Sequence, residues 1–322
     1  MAKYLILRFS SIGDIVLTTP VVRCLKKQKD AEIHFFTKKP FVGMLEANPH
    51  VDKVFALEGD LKKQIKQLCL ENYDGIIDLH HNLRTLRIKR GLQCGSWSFD
   101  KLNIQKWLLT RIGINKMPDV HIVDRYLDTV KSLGVKNDLA GLDFFIPKKD
   151  ALHLEEVLPL GFLNYVGFVI GGQHATKMLP QDKIETICKG ISSPIVLLGG
   201  PDDAERGESI ANAIGLEKVF NACGKFNLNQ SAYLVKEAQS IVTHDTGLMH
   251  IASALKKRII SVWGNTVPEF GMSPYLPAKG SKQFEVKGLN CRPCSKIGYA
   301  KCPKGHFKCM KMQDVEAITK SI

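Results

Sequence analysis

A chain of 322 residues exceeds one compact core, so two domains are expected, and its 44% apolar and 24% charged residues are ordinary for a globular protein. No apolar run reaches the ~18 residues that a membrane-spanning helix requires. The formal net charge of +13 points to an anionic partner: nucleic acid, a phosphorylated lipid headgroup or an acidic sugar.

The start, MAKYLILRFSSIGD, turns polar after Phe9 and lacks the h-region and cleavage site of a secretory signal, so a cytosolic protein is expected. Short apolar runs then alternate with amphipathic stretches, the pattern of a parallel sheet covered by helices. Strands are predicted at Tyr4–Phe9, Glu32–Phe36, Lys53–Leu57 and Gly75–Leu79. Helices are predicted at Val21–Gln28, Phe41–Ala47, Leu61–Leu70, Ile104–Ile112 and Val123–Leu133. Residues 1–150 hold 25 Lys/Arg against 17 Asp/Glu. Around Pro147–Gly161 the pattern breaks, and a domain boundary is placed there, at residue 155. A second series follows: strands Tyr165–Ile170, Ile195–Leu198, Ser240–Thr243 and Ile259–Trp263, with helices starting near Asp182, Asp202, Asn229 and Gly247. Residues 151–286 are nearly neutral, with 12 Lys/Arg against 13 Asp/Glu. After Gly264 come Pro- and Gly-rich loops, a Cys-rich segment and a terminal helix from about Gln313; residues 287–322 hold 8 Lys/Arg against 2 Asp/Glu. The expectation is an α/β chain of two Rossmann-like domains, 1–155 and 156–312, whose parallel sheets face an interdomain cleft.

Five stretches could carry chemistry. Ser10-Ser11-Ile12-Gly13-Asp14 follows the first strand. Asp14 at that sheet edge can take a proton from a bound hydroxyl, or it can simply cap a helix. Thr243-His244-Asp245-Thr246-Gly247-Leu248-Met249-His250 ends a strand and opens a helix. Free backbone N–H groups there suit a diphosphate, with Thr246 as a hydroxyl donor and Asp245 orienting the loop; the alternative is an ordinary capped helix. Gly171-Gly172-Gln173-His174-Ala175-Thr176-Lys177 is a loop whose cation can reach a phosphate, and it lacks P-loop spacing. Leu198-Gly199-Gly200-Pro201 marks a close approach to the backbone, with Glu205 placed to accept from a ribose. Arg84-Thr85-Leu86-Arg87-Ile88-Lys89-Arg90, after His80-His81-Asn82, is either a solvated face or a basic patch at a strand end. There is no G-x-G-x-x-G for a dinucleotide and no Asp-x-Asp pair to hold a metal against a diphosphate.

Together these pieces resemble glycosyltransferase family 9, the lipopolysaccharide heptosyltransferases. The resemblance rests on RFSSIGDIVLTTPVVRCLK, LHHNLRTLR, HIVDRYLDTVKSLGV, the loop ending in Lys177, HDTGLMHIASAL and CRPCSKIGYAKCPKGHFKCM. It implies a GT-B fold with an acceptor-binding first domain and a nucleotide-sugar-binding second domain. The terminal helix, 313–322, would cross back to the first. It further implies ADP-heptose as donor, inner-core lipopolysaccharide as acceptor, and inverting transfer without a metal or other cofactor. By the same resemblance Asp14 would be the general base, and Lys177 would stabilise the leaving diphosphate. Thr176, Glu205, Asp245, Thr246, Gly247 and His250 would serve the donor; Ser11, Gly13, Asn82, Arg84, Arg87 and Arg111 would serve the acceptor. Where family members often carry Lys-Arg-Trp-Pro, this chain has Lys177-Met178-Leu179-Pro180, and His80-His81 stands where Gln-Gly is common.

Cys291, Cys294, Cys302 and Cys309, with His306, have the ligand count of a structural zinc site; packed free thiols are the other reading. Three rival functions stand at this level, one of them a degenerate family member that binds sugar-lipid without turnover. A nucleic-acid binder would use the charge directly, but the basic residues lack interleaved aromatics, so no nucleic-acid partner is expected. A GT-B enzyme using a UDP-sugar would share every feature above. The basic first half and tail also suit peripheral contact with an anionic membrane surface on the cytoplasmic side.

Overall fold

The computed structural model describes residues 1–322, which divide into two compact units. The first is Met1–Lys101 with Val120–Pro147; the second is Leu102–Asp119 with Lys148–Ile322. The division at Pro147 falls at the edge of the expected boundary region, while residues 102–119 group with the second unit rather than the first.

In the first unit, β1 (Lys3–Leu7), β2 (Glu32–Lys38), β3 (Lys53–Leu57), β4 (Gly75–Asp78) and β5 (Gly95–Ser98) form a parallel sheet in the order β3-β2-β1-β4-β5. The inner strands read as near-continuous apolar runs because both faces of such a sheet are covered. Leu5, Leu7 and Phe9 share a core with Phe36, Ile76 and Ile88. The chain after β1 forms α1 (Ile12–Val16) and α2 (Thr19–Lys29), separated at Leu17–Thr18, with Pro20 in the first turn of the second helix where its missing N–H costs nothing. Next come α3 (Leu61–Cys69) and α4 (Leu83–Leu92); the chain then passes into the second unit, where α5 (Asn103–Trp107) runs into a π-helical turn, Leu108–Ile112, before α6 (Ile122–Asp128) in the first. The predicted helix at Phe41–Ala47 is instead a 3-10 turn, Lys39–Met44, with Pro40 at its start. The basic run, open between a solvated face and a basic patch at a strand end, is the helix α4, which buries Thr85 and Ile88.

The second unit holds α7 (Leu154–Val157), β6 (Val166–Val169), α8 (Gln181–Gly190), β7 (Ile195–Leu198), α9 (Ala204–Ile214), β8 (Val219–Asn221) and α10 (Leu228–Glu237). It continues with β9 (Ser240–His244), α11 (Gly247–Ala254), β10 (Arg258–Trp263), β11 (Lys282–Glu285), α12 (Lys308–Lys311) and α13 (Val315–Thr319). Its sheet is parallel with order β11-β10-β9-β6-β7-β8. Strand alternation splits the core in two: Val166, Phe168 and Ile170 pack on one face, Tyr165 and Val169 on the other. Each such side chain contributes roughly 1.5–3 kcal/mol by leaving water. The terminal helix α13 groups with the second unit. It packs on α8, where a Cβ on Gly190 would fall 2.6 Å from Thr319 Cγ2, and the Arg258 guanidinium donates to the carbonyls of Ser321 and Ile322.

Both sheets reverse their strand order beside the strand that comes first within them, β1 against β4 and β6 against β9. Such a switch point opens a crevice beyond the C-terminal strand ends, where ligands of open α/β sheets bind. The sequence places its chemistry there: Asp14 follows β1, His80–Asn82 follow β4, Lys177 follows β6, and Asp245–Gly247 follow β9.

Candidate active site

In the first unit Asp14 lies in the first turn of α1, half-buried. One carboxylate oxygen accepts from Ser11 N at 3.0 Å and Ser11 Oγ at 2.9 Å; the other pairs with Arg8 Nη2 at 2.7 Å. Burial alone would raise its pKa, but the Arg8 charge and the Ser11 bonds hold it below the usual carboxylate value. Asp14 therefore closes the capping box of α1 as an ionised carboxylate, with Ser11 as the N-cap. Arg8 is buried and anchored further by Leu79 O at 2.6 Å, Tyr126 Oη at 3.0 Å and Ser10 O at 2.9 Å.

The adjacent β4 end is organised by Asp78, fully buried and paired with Lys89 Nζ at 3.0 Å. Its Oδ1 accepts from the backbone N–H groups of His80 at 3.1 Å and His81 at 2.6 Å. Burial and the nearby Arg8 charge push the His80 imidazole down to about 4, so it is neutral at pH 7. Asn82 Oδ1 accepts from Arg84 N at 2.9 Å and Thr85 N at 3.0 Å, which commits it to capping α4. Arg84 lies 5.7 Å above the Phe9 ring, and both Arg84 and Arg87 are exposed. Arg111 is exposed on the π-helical turn of the second unit.

In the second unit Lys177 Nζ pairs with Asp245 Oδ2 at 2.7 Å, and the same oxygen accepts from Thr266 Oγ1 at 2.8 Å. Thr246 is the N-cap of α11, yet its hydroxyl makes no capping bond and lies 3.4 Å from Thr243 Oγ1. With no acidic residue in that first turn, the amides at the α11 N-terminus retain their affinity for an anion. A Cβ on Gly172 would come within 3.6 Å of Thr246 Cγ2, so the Lys177 loop and the α11 entrance are neighbours.

That loop is held from several sides. Arg206 donates to the carbonyls of Ile170 and Leu179. His244 Nε2 accepts from Leu179 N at 3.0 Å, and burial pushes this imidazole down to about 3. Thr176 is buried; its hydroxyl donates to Tyr299 O at 3.2 Å and accepts from Tyr299 N at 2.8 Å. Thr176 thus joins the loop to the Cys-rich segment. The two Gly pairs also have a protein partner: a Cβ on Gly171 would meet Asp203 Oδ2 at 2.1 Å, and one on Gly199 would meet Asp203 Cβ at 2.8 Å. Glu205 is exposed in the first turn of α9, and His250 is buried in α11.

Sequence reading passed over Arg8, Asp78, Arg206 and His244. Charge in or beside an apolar strand was the available signal for the first two; His244 sits inside the stretch that carries Asp245, and Arg206 directly follows Glu205. The nine cysteines are free, Cys291 Sγ lies 3.7 Å from His306 Nε2, and the Cys294 thiol donates to Cys291 O at 2.8 Å. Burial and neighbouring thiols push Cys294 and Cys309 up to about 11. No group of three or more His, Cys, Asp or Glu is arranged to hold a metal.

Comparison with known proteins gives a consistent picture. The model of glycosyltransferase family 9 (heptosyltransferase) matches residues 61–301. Lipopolysaccharide heptosyltransferase 1 of Campylobacter coli is 26% identical over 292 residues, covering 82% of this chain and 84% of that protein. Among solved structures, the family 9 glycosyl transferase from Veillonella parvula superposes with a TM-score of 0.80 at 19% identity, covering 99% of this chain and 96% of that one. E. coli heptosyltransferase WaaC with ADP superposes with a TM-score of 0.69 at 21% identity, covering 99% and 98%. These structural likenesses establish the GT-B type of fold.

Proposed function

The chain belongs to glycosyltransferase family 9 (heptosyltransferase), and on that premise we propose that it moves heptose from ADP-heptose to an anionic inner-core lipopolysaccharide acceptor, with inversion and without a metal. The observation that carries this reading is the Lys177–Asp245 pair beside the α11 N-terminus, a cation and free amides gathered where a diphosphate would sit.

The acceptor hydroxyl gives its proton to the ionised Asp14 carboxylate, and its oxygen attacks the anomeric carbon. The bond from that carbon to the diphosphate oxygen breaks, and ADP leaves with the electron pair. Lys177 and the α11 amides meet the charge that grows on the departing phosphate. Asp245 and His250 shape that loop, Glu205 meets the ribose, and Arg84, Arg87 and Arg111 face the acceptor's anionic groups. Ser11 and Arg8 act through Asp14, holding its carboxylate in one orientation. The enzyme works in the cytoplasm against the anionic inner leaflet, which its basic surface and lipid-linked acceptor favour.

The test is transfer from ADP-heptose to Kdo–lipid A, comparing the native chain with Asp14→Ala, with and without EDTA. Transfer that survives EDTA and vanishes with Asp14→Ala supports the proposal. No transfer, with stabilisation by a different nucleotide sugar, overturns the named donor.

A further inference from the structure

An α-helix of few turns is marginal alone and normally persists by burying one face. The stretch Asn103–Ile112, α5 and its π-helical turn, has no fully buried side chain. Leu108 and Leu109 are half-buried, while three of its large apolar groups face outward: Ile104 is 73% exposed, Trp107 55% and Ile112 53%, and Ile114 just beyond is 46% exposed. From Lys101 to Pro118 the sequence carries four cations and no acid, the first carboxylate being Asp119. Of these cations Arg111 and Lys116 are exposed.

We propose that residues 103–117 are a membrane-docking element that inserts Ile104, Trp107, Ile112 and Ile114 shallowly into the headgroup region of an anionic bilayer. Exposed apolar groups of this size need a cover, and a row of cations without acids selects an anionic one. An indole with one apolar body and one N–H donor fits the boundary between headgroups and acyl chains. No helix in the structure is long and apolar enough to cross a membrane, so attachment of this kind is in-plane and reversible. The inference rests on the lipid-linked acceptor for its purpose, but its test needs neither donor nor acceptor.

The experiment is sedimentation of the full chain with vesicles of phosphatidylglycerol and phosphatidylcholine, against phosphatidylcholine alone, at low and high salt. The native chain pellets with the anionic vesicles, less so at high salt, and brominated lipid quenches its fluorescence until Trp107→Phe is made. Ile104→Ser with Ile112→Ser weakens vesicle binding about tenfold or more. Leu70→Ser with Leu160→Ser, at comparably exposed apolar positions, leaves it unchanged. The Ile104/Ile112 variant keeps its melting temperature, since neither side chain is buried, and keeps transfer to a delipidated soluble acceptor. Native protein that stays in the supernatant, or a double variant that pellets equally well, overturns the proposal. Self-association abolished by the double variant also overturns it, because a second copy would then cover this face. Vesicle binding with no heptosyl transfer would sink the proposed donor and acceptor while leaving the docking element standing.

Discussion

Asp14 receives two hydrogen bonds from Ser11 and a charge from Arg8, an arrangement that keeps it ionised and aimed. Asp14→Asn keeps the shape and removes the proton acceptor, so kcat should fall about 10²–10⁴-fold. ADP binding, read by thermal shift, should persist in that variant. Arg8→Gln tests the electrostatics separately. With Arg8 gone, burial is less opposed and the Asp14 pKa rises, so the acid limb of kcat/KM moves to higher pH. An acid limb that stays in place would show that Arg8 does not govern Asp14. The linkage to stability has a definite sign. Because the folded pKa is lowered, the contribution of Asp14 is full above its unfolded value near 3.8 and is lost as pH falls through the folded one. His80, pushed down to about 4, supplies no titration near neutrality.

At the scale of elements, the loop after β6 and the loop after β9 are coupled by His244, which ends β9 and accepts from Leu179 N. Replacing His244 with Leu leaves that buried amide unpaired, a loss of roughly 1–3 kcal/mol that urea denaturation would read. An unchanged midpoint would mean that the loop finds another acceptor. Arg206→Ala removes donors to Ile170 O and Leu179 O, and Lys177 then has a looser base. The expected result is a donor KM raised several-fold, with the Asp14-dependent acid limb unmoved. A shifted limb would mean that Arg206 acts on Asp14 rather than on the donor loop.

For the whole molecule, a donor nucleotide binds the folded chain and not the unfolded one. At a hundred times its Kd, ADP should add about 2.7 kcal/mol of stability, while UDP at the same concentration adds little. Equal shifts from both would favour the rival UDP-sugar reading. The charge of +13, concentrated before residue 150 and after residue 287, also predicts association with anionic surfaces that weakens as salt rises.

Much of this was legible in the residues themselves. Buried parallel strands must be apolar on both faces, so β7 matches its predicted span and β1, β2, β4, β6, β9 and β10 lie within two residues of theirs at each end; the edge strand β3 also matches, because Val54-Phe55-Ala56-Leu57 is an unbroken apolar run. The loops after β1, β6 and β9 were found because glycine, acid and cation clusters stood at strand ends. By contrast β5, β8 and β11 are short edge strands whose sequences carry no comparable run. Periodicity also said nothing of Arg8 beside Asp14, of Thr176 paired with Tyr299 123 residues away, or of Asp203 filling the space left by Gly171 and Gly199. Local pattern records which side chains leave water, and that alone determined the class of fold and the strand ends where the candidate residues stand. Which charge faces which, and which polar group is already spoken for, depends on contacts between distant segments, and only the tertiary structure decided those.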